Sequence, residues 1–189
     1  MKRSLGFVSA ILATVLLSGS AFADLNVQRT EKNEFNKSTN TSIVFDGVRL
    51  SVPPAFATED TEISEESNKY YYAESGEAVA FLETMYTDLG AEVTEDQFKS
   101  QLDDFDEGVI SPLDNPEILS TLDCTIAGCP GRILHVSCEI QGMELEGYFA
   151  YFFKDAENRV DVISMCQTTN TEYSYFSDYY KIIATAEKA

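Results

Sequence analysis

The chain is 189 residues long and carries 13 Lys and Arg against 32 Asp and Glu, a formal net charge of -19. Hydrophobic residues make up 44% and aromatics 12%, the mix of a folded globular protein and too apolar for a disordered acidic tail. So negative a charge excludes a nucleic-acid binder, whose affinity for phosphates comes from clustered Lys and Arg, and argues equally against docking on an anionic membrane surface.

Residues 1–23 read as a secretory signal peptide. Lys2 and Arg3 precede an apolar run from Leu5 to Leu17, and Ser18-Gly19-Ser20 leads to the small-x-small end Ala21-Phe22-Ala23. The run is shorter than the ~20 residues that cross a bilayer core. A lipoprotein anchor would need a cysteine at the cleavage point, and the first is Cys124. The expected mature chain starts at Asp24, is secreted or held in the cell envelope, and has no membrane insertion once the signal is cleaved. Residues 24–42 are polar and without apolar periodicity, which predicts a flexible leader. Two glycosylation-type triplets there, at Asn36 and Asn40, are common by chance and carry no weight.

A single domain is expected over 43–189. Ile43 to Phe45, Asp46-Gly47 and Val48 to Leu50 predict a hairpin around a turn that needs positive φ, ended by Pro53-Pro54. Thr58 to Asn68 carries many carboxylates and reads as a solvated loop or short helix. Tyr70 to Tyr72 and Ala78 to Tyr86, turned at Glu74 to Glu77, read as a second hairpin. Thr94 with Gln97 predicts a capping box, and Phe98, Leu102 and Phe105 form one stripe of a helix stopped by Gly108.

After a connection from Pro112 to Pro116 come four strands: Ile118 to Ala127, Arg132 to Gln141, Glu144 to Lys154 and Arg159 to Thr168. Hairpin-length turns separate them, the first built from Gly-Cys-Pro-Gly. Thr171 to Glu187, with Tyr173, Phe176, Tyr180 and Ile183 at helical spacing, predicts a closing helix. The order is hairpin, hairpin, helix, four-strand meander, helix. That predicts an α+β fold with helices packed on an antiparallel sheet.

The segment Val48-Arg49-Leu50-Ser51-Val52-Pro53, the helix after Thr94, Ile126-Ala127-Gly128-Cys129-Pro130-Gly131 leading into the meander, and the aromatic final helix resemble PsbP-like domains. The resemblance covers Ile43 to Lys188 and rests on element order. It implies a non-catalytic domain that binds proteins or serves as an accessory subunit. No family functional residue maps onto a position here.

Four cysteines, Cys124, Cys129, Cys138 and Cys166, are the disulfide candidates. An even count in an exported chain fits two bridges in any of three pairings; buried free thiols are the alternative, and the spacing suits a metal poorly. Cys124 and Cys129 flank the tight turn. Cys138 and Cys166 lie on separate strands, and one intervening strand would hold their Cα atoms ~9–10 Å apart, beyond disulfide reach.

His135, the one histidine, lies mid-strand near Ser137 without a nucleophile elbow, so a structural or surface role is expected. The acidic run Asp103, Asp104, Asp106 and Glu107 fits no EF-hand register and reads as a solvated helix flank. The Tyr-rich segments offer a stacking surface or, more simply, packing with hydroxyls at the rim. No cofactor or metal site is expected. The functional expectation is an exported, non-enzymatic interaction or accessory protein of the bacterial cell envelope or medium, its partner another envelope or secreted protein. A hydrolase with a carboxylate-based site and a calcium-dependent binder are the alternatives.

Overall fold

The computed structural model describes residues 30–31, 33–75, 78–140, 143–169 and 173–189. The expected signal peptide, Met1 to Ala23, lies outside them. A two-residue strand β1 (Thr30–Glu31) precedes the predicted first hairpin, β2 (Thr41–Phe45) with β3 (Val48–Val52). Its turn residues Asp46 and Gly47 hold φ of 43° and 72°, the double positive φ whose twist matches that of the flanking strands. The second hairpin, β4 (Asn68–Ser75) with β5 (Ala78–Asp88), sets Tyr70 opposite Glu83 and Tyr72 opposite Phe81. The acidic segment before it forms no helix and is pinned to β4 by the bridges Glu59–Tyr71 and Glu65–Asn68.

The capping box is present: Thr94 Oγ1 accepts from the Gln97 N–H at 3.3 Å, and Gln97 Oε1 accepts from the Thr94 N–H at 2.9 Å. The single helix expected beyond it is two, α1 (Glu95–Ser100) and α2 (Leu102–Ile110). Ser100 Oγ donates to the Gln97 carbonyl at 2.9 Å, competing with the helical ladder, and Gln101 breaks it at φ -121°, ψ 23°. The apolar stripe survives the break, with the buried Phe98 and Phe105 rings 4.8 Å apart. Gly108 lies inside α2 rather than ending it, because buried Val109 keeps the last turn on the core; the helix ends just ahead of Pro112, which has no N–H to donate.

The meander consists of β6 (Asp114–Ile126), β7 (Cys129–Ile140), β8 (Met143–Lys154) and β9 (Arg159–Thr168). β6 begins inside the stretch read as a connection, where a register shift between Asp114 and Glu117 accommodates Pro116. The turn into β7 is Ala127-Gly128, with φ of 51° and 83°, so Cys129, Pro130 and Gly131 belong to the strand. β10 (Tyr173–Ser174), α3 (Phe176–Ile183) and β11 (Glu187–Lys188) close the chain, the helix being shorter than expected.

The large sheet is antiparallel in the order β4-β5-β9-β8-β7-β6, the small one runs β11-β3-β2, and β1 lies parallel to β10. The fold is the expected α+β. One core lies between the large sheet and the layer of β3 and α3, joining Leu50, Val52 and Ile182 to Ala150, Phe152 and Ile163. The other lies on the opposite face, where Phe98 and Phe105 meet Leu134, Tyr151 and Phe153. Central strand β8 is covered on both faces, which is why Tyr148 to Phe153 lacks polar alternation.

Part of the expected leader is joined to the domain. Buried Asp178 accepts from the N–H groups of Glu34 at 2.7 Å and Phe35 at 3.1 Å, and Phe35 packs on the first core. Among the described residues no helix is long and apolar enough to cross a membrane.

Candidate functional site

The structure leaves all four cysteines as free thiols. Cys124 registers with Gly131 and Cys129 with Ile126, so the two share a face but sit diagonally, two residues out of register. Cys138 registers with Leu145 and Cys166 with Gly147, so β8 lies between them and a further offset of two residues separates them. No pair is set for a bridge, and the expected two disulfides are absent from the structure. Burial raises every one of these thiols, Cys138 to about 11 and Cys166 well above its ordinary value. They are packing groups rather than nucleophiles.

His135 projects toward α3. Its ring stacks on Tyr148 at 4.4 Å and 10°, and its Nε2 lies 2.7 Å from Glu146 Oε1. Tyr148 is the hub of this corner, edge-on to Phe176 at 4.9 Å and stacked with Tyr179 at 5.5 Å. The imidazole is one plate of an aromatic stack, its Nε2 engaged by a carboxylate. The tyrosines follow the packing reading: Tyr70, Tyr71, Tyr175 and Tyr179 are buried, and Tyr180 of α3 stands exposed.

The acidic run lies on α2, and one of its members is not solvated. Asp106 is buried, its Oδ2 2.7 Å from Arg132 Nη1 and its Oδ1 accepting from the Tyr151 hydroxyl at 2.5 Å. Arg132 also holds Asp103 at 3.2 Å and, through Nε, Asp123 of β6 at 2.6 Å. One guanidinium thus ties α2 to the sheet. Among the described residues no group of three or more His, Cys, Asp or Glu is arranged to hold a metal.

Two buried acids of the strands escaped the sequence reading, although each left a signal as a lone charge inside an apolar strand. Glu83 accepts from Asn68 Nδ2 at 2.9 Å and Ser164 Oγ at 3.2 Å. Burial raises its carboxyl above the usual range, against those hydrogen bonds and one from Tyr70. Asp161, fully buried, is pushed up to about 8 by burial, with neighbouring Asp46 adding to the effect and Lys154 opposing it. Both acids are enclosed in the domain, so neither presents a surface for a ligand.

The most exposed apolar feature belongs to β6, the terminal strand of the large sheet, whose outer edge pairs with no other strand among the described residues. Leu119 is 48% exposed and Leu122 54% exposed, and every residue from Leu119 to Asp123 is open to solvent. Leu122 registers with Ile133 on the α3 side, and Asp123 with Arg132 on the α2 side. This edge can offer an incoming chain backbone hydrogen bonds, an apolar contact on one face and carboxylates on the other. Chain order alone does not reveal it, since either end strand of the meander, β6 or β9, could have been terminal.

No protein-family model matches the chain, and no curated protein matches it. Solved structures are similar to it. Cyanobacterial PsbP (CyanoP) from Synechocystis sp. PCC 6803 is similar with a TM-score of 0.50 at 6% identity, over 82% of this chain and 95% of that one. The Ran-binding protein Mog1p of Saccharomyces cerevisiae is similar with a TM-score of 0.45 at 12% identity, over 75% of this chain and 82% of that one. Protein PA94 of Pseudomonas aeruginosa matches with a TM-score of 0.46 at 16% identity, over 70% of this chain and 85% of that one. At 6% identity the likeness to CyanoP is one of fold alone, and it fits the PsbP-like arrangement anticipated from element order.

Proposed function

We propose that the chain is an exported, non-enzymatic accessory or interaction protein of the cell envelope or medium, acting by binding another protein along the rim of its large sheet. The observation that carries this reading is the open edge of β6, with Leu119 and Leu122 each about half exposed on a terminal strand. Exposed apolar side chains on a strand whose outer edge is open are costly to keep in an isolated protein, where edges are ordinarily blunted, and they suit a surface that is covered in use. The engagement of His135 in a ring stack and a carboxylate contact supports a packing role for the one histidine. The N-terminal pattern from Lys2 to Ala23 supports export.

The test is a pull-down with Asp24 to Ala189 against envelope and medium fractions of the host. One near-stoichiometric partner is expected, lost with Leu119→Lys/Leu122→Lys and kept with Val44→Lys, a control at an equally exposed residue of the small sheet. A partner retained equally by the β6 double variant would overturn the reading, as would hydrolase turnover abolished by His135→Ala.

A further inference from the structure

The large and small sheets present four outer edges, and they differ. The β4 edge carries the bridges to Glu59 and Glu65, β11 is two residues long and β2 five, whereas β6 runs for 13 residues. Natural edges are defended by Lys, Pro and bulges. In β6 both register shifts and Pro116 fall before Ser120, and from Ser120 to Ile126 the ladder with β7 is unbroken. No Lys or Arg occurs anywhere in the strand. Ser120 to Ile126 is therefore a regular, undefended edge.

Its two faces differ in chemistry. Ser120 and Leu122 register with His135 and Ile133 on the α3 side. Thr121 and Asp123 register with Leu134 and Arg132 on the α2 side. There Arg132 faces three carboxylates, Asp103, Asp106 and Asp123, and the side chains of Asp103 and Asp123 remain largely exposed. Exposed Asp104 and Glu107 on α2 add to the negative charge. Successive residues of an added strand alternate between these faces, so the edge favours an apolar residue beside Leu122 and a cation beside Asp123.

We infer that Ser120 to Ile126 of β6 takes an added β-strand from another protein, an extended segment in which apolar residues alternate with Lys or Arg. This rests on the interaction reading above and names its partner's chemistry. A second copy of this chain is the poorer occupant, since edge-to-edge pairing would bring together two molecules of net charge -19 with Asp123 in both edges.

The test uses a short acetylated peptide alternating Val and Lys, with a Val and Glu counterpart, titrated into the mature chain while amide hydrogen exchange is followed. The Val–Lys peptide is expected to protect amides confined to Ser120 to Ile126, to weaken with salt, and to bind about tenfold more tightly than the Val–Glu peptide. Asp123→Asn is expected to weaken it several-fold and to flatten its salt dependence. Protection elsewhere, equal binding of the two peptides, or protection of the same amides by self-association without peptide would overturn the inference. A host partner captured through Leu119 and Leu122, with neither peptide bound, would sink this inference and leave the interaction reading standing.

Discussion

The Asp161 carboxyl lies 3.7 Å from the Lys154 ammonium, near enough for attraction and too far for a hydrogen bond. Lys154 instead spends its donors on Asp46, at 2.5 Å to Oδ2 and 2.6 Å to the carbonyl, and on Glu157 at 3.0 Å. Arg159 adds a contact to Asp46 Oδ1 at 2.6 Å. Burial would raise Asp46, but its hydrogen bonds from Lys154 and Arg159 outweigh that and hold it below the usual range. Burial pushes Asp161 up instead, and neither of its oxygens accepts a hydrogen bond from a described protein donor.

Stability is therefore expected to fall as pH rises across the window set by Asp161. Its carboxyl titrates at about 8 in the fold, against ~4 in an unfolded chain. Between those values the native state holds a proton that the unfolded state has released, so the contribution is complete below the lower value and lost as pH rises to the upper. Glu83, also raised, acts in the same direction. Urea midpoints measured from pH 5 to pH 9 are expected to decline in the parent and to flatten in Asp161→Asn. Equal slopes in the two proteins would show that Asp161 is ionised throughout.

Arg132→Met should be among the costlier substitutions at any partly buried position. It leaves buried Asp106 without its cation, beside a Tyr151 hydroxyl that burial and Asp106 already keep protonated. Stranding one member of a buried pair costs about 3 kcal/mol. Asp103→Asn, at a fully exposed partner of the same guanidinium, should leave the urea midpoint unchanged. Similar losses from the two variants would refute the assignment of Asp106 as the anchoring carboxylate.

At Gly147 a Cβ would stand 2.6 Å from Cys166 Sγ and 3.2 Å from the Met165 carbonyl oxygen. The strand is covered on both faces and has no room to retreat, so Gly147→Ala should cost about 2 kcal/mol. Removing the sulfur relieves the worst contact. In the double variant with Cys166→Ala the loss should fall short of the sum of the two single losses by about 1 kcal/mol. Strict additivity in denaturant unfolding would mean that the contacts with the Phe149 ring, at 3.0 Å, and the Met165 carbonyl carry the cost.

His135 is predicted to work through its ring plane. His135→Phe preserves a plate on Tyr148, whereas His135→Ala removes it together with an aromatic contact worth about 1 kcal/mol. Thermal melts should place the Phe variant above the Ala variant. The reverse order would show that the stack on Tyr148 does not stabilise the fold.

Local features were legible before any fold was known. The Asp46-Gly47 turn, the Thr94 capping box and the Phe98–Phe105 stripe each depend on residues within a few positions, and each stands in the structure. The break at Gln101 was less legible, because it depends on which carbonyl the Ser100 hydroxyl chooses. Arg132 could not be assigned partners, since Asp103, Asp106 and Asp123 come from two elements that only packing brings together. The relation between the cysteines was legible only in part, since one intervening strand was foreseen between Cys138 and Cys166 but the pairing was left open. The two-residue turn at Ala127-Gly128 places Cys129 in β7, and strand register then sets both candidate pairs off line.

By itself the amino-acid sequence determined the kinds of element, their order, the α+β class, the acidic balance and the lack of any cation in β6. Tertiary structure alone decided that β9 lies between β5 and β8, that β8 is central and that β6 is the terminal strand, its outer edge open among the described residues. Two-residue alternation tells which side chains share a face, but it is silent on which strand lies alongside. That choice is made by non-local hydrogen bonding and by burial of the two faces together, and it is what turns an ordinary run of thirteen residues into an exposed edge.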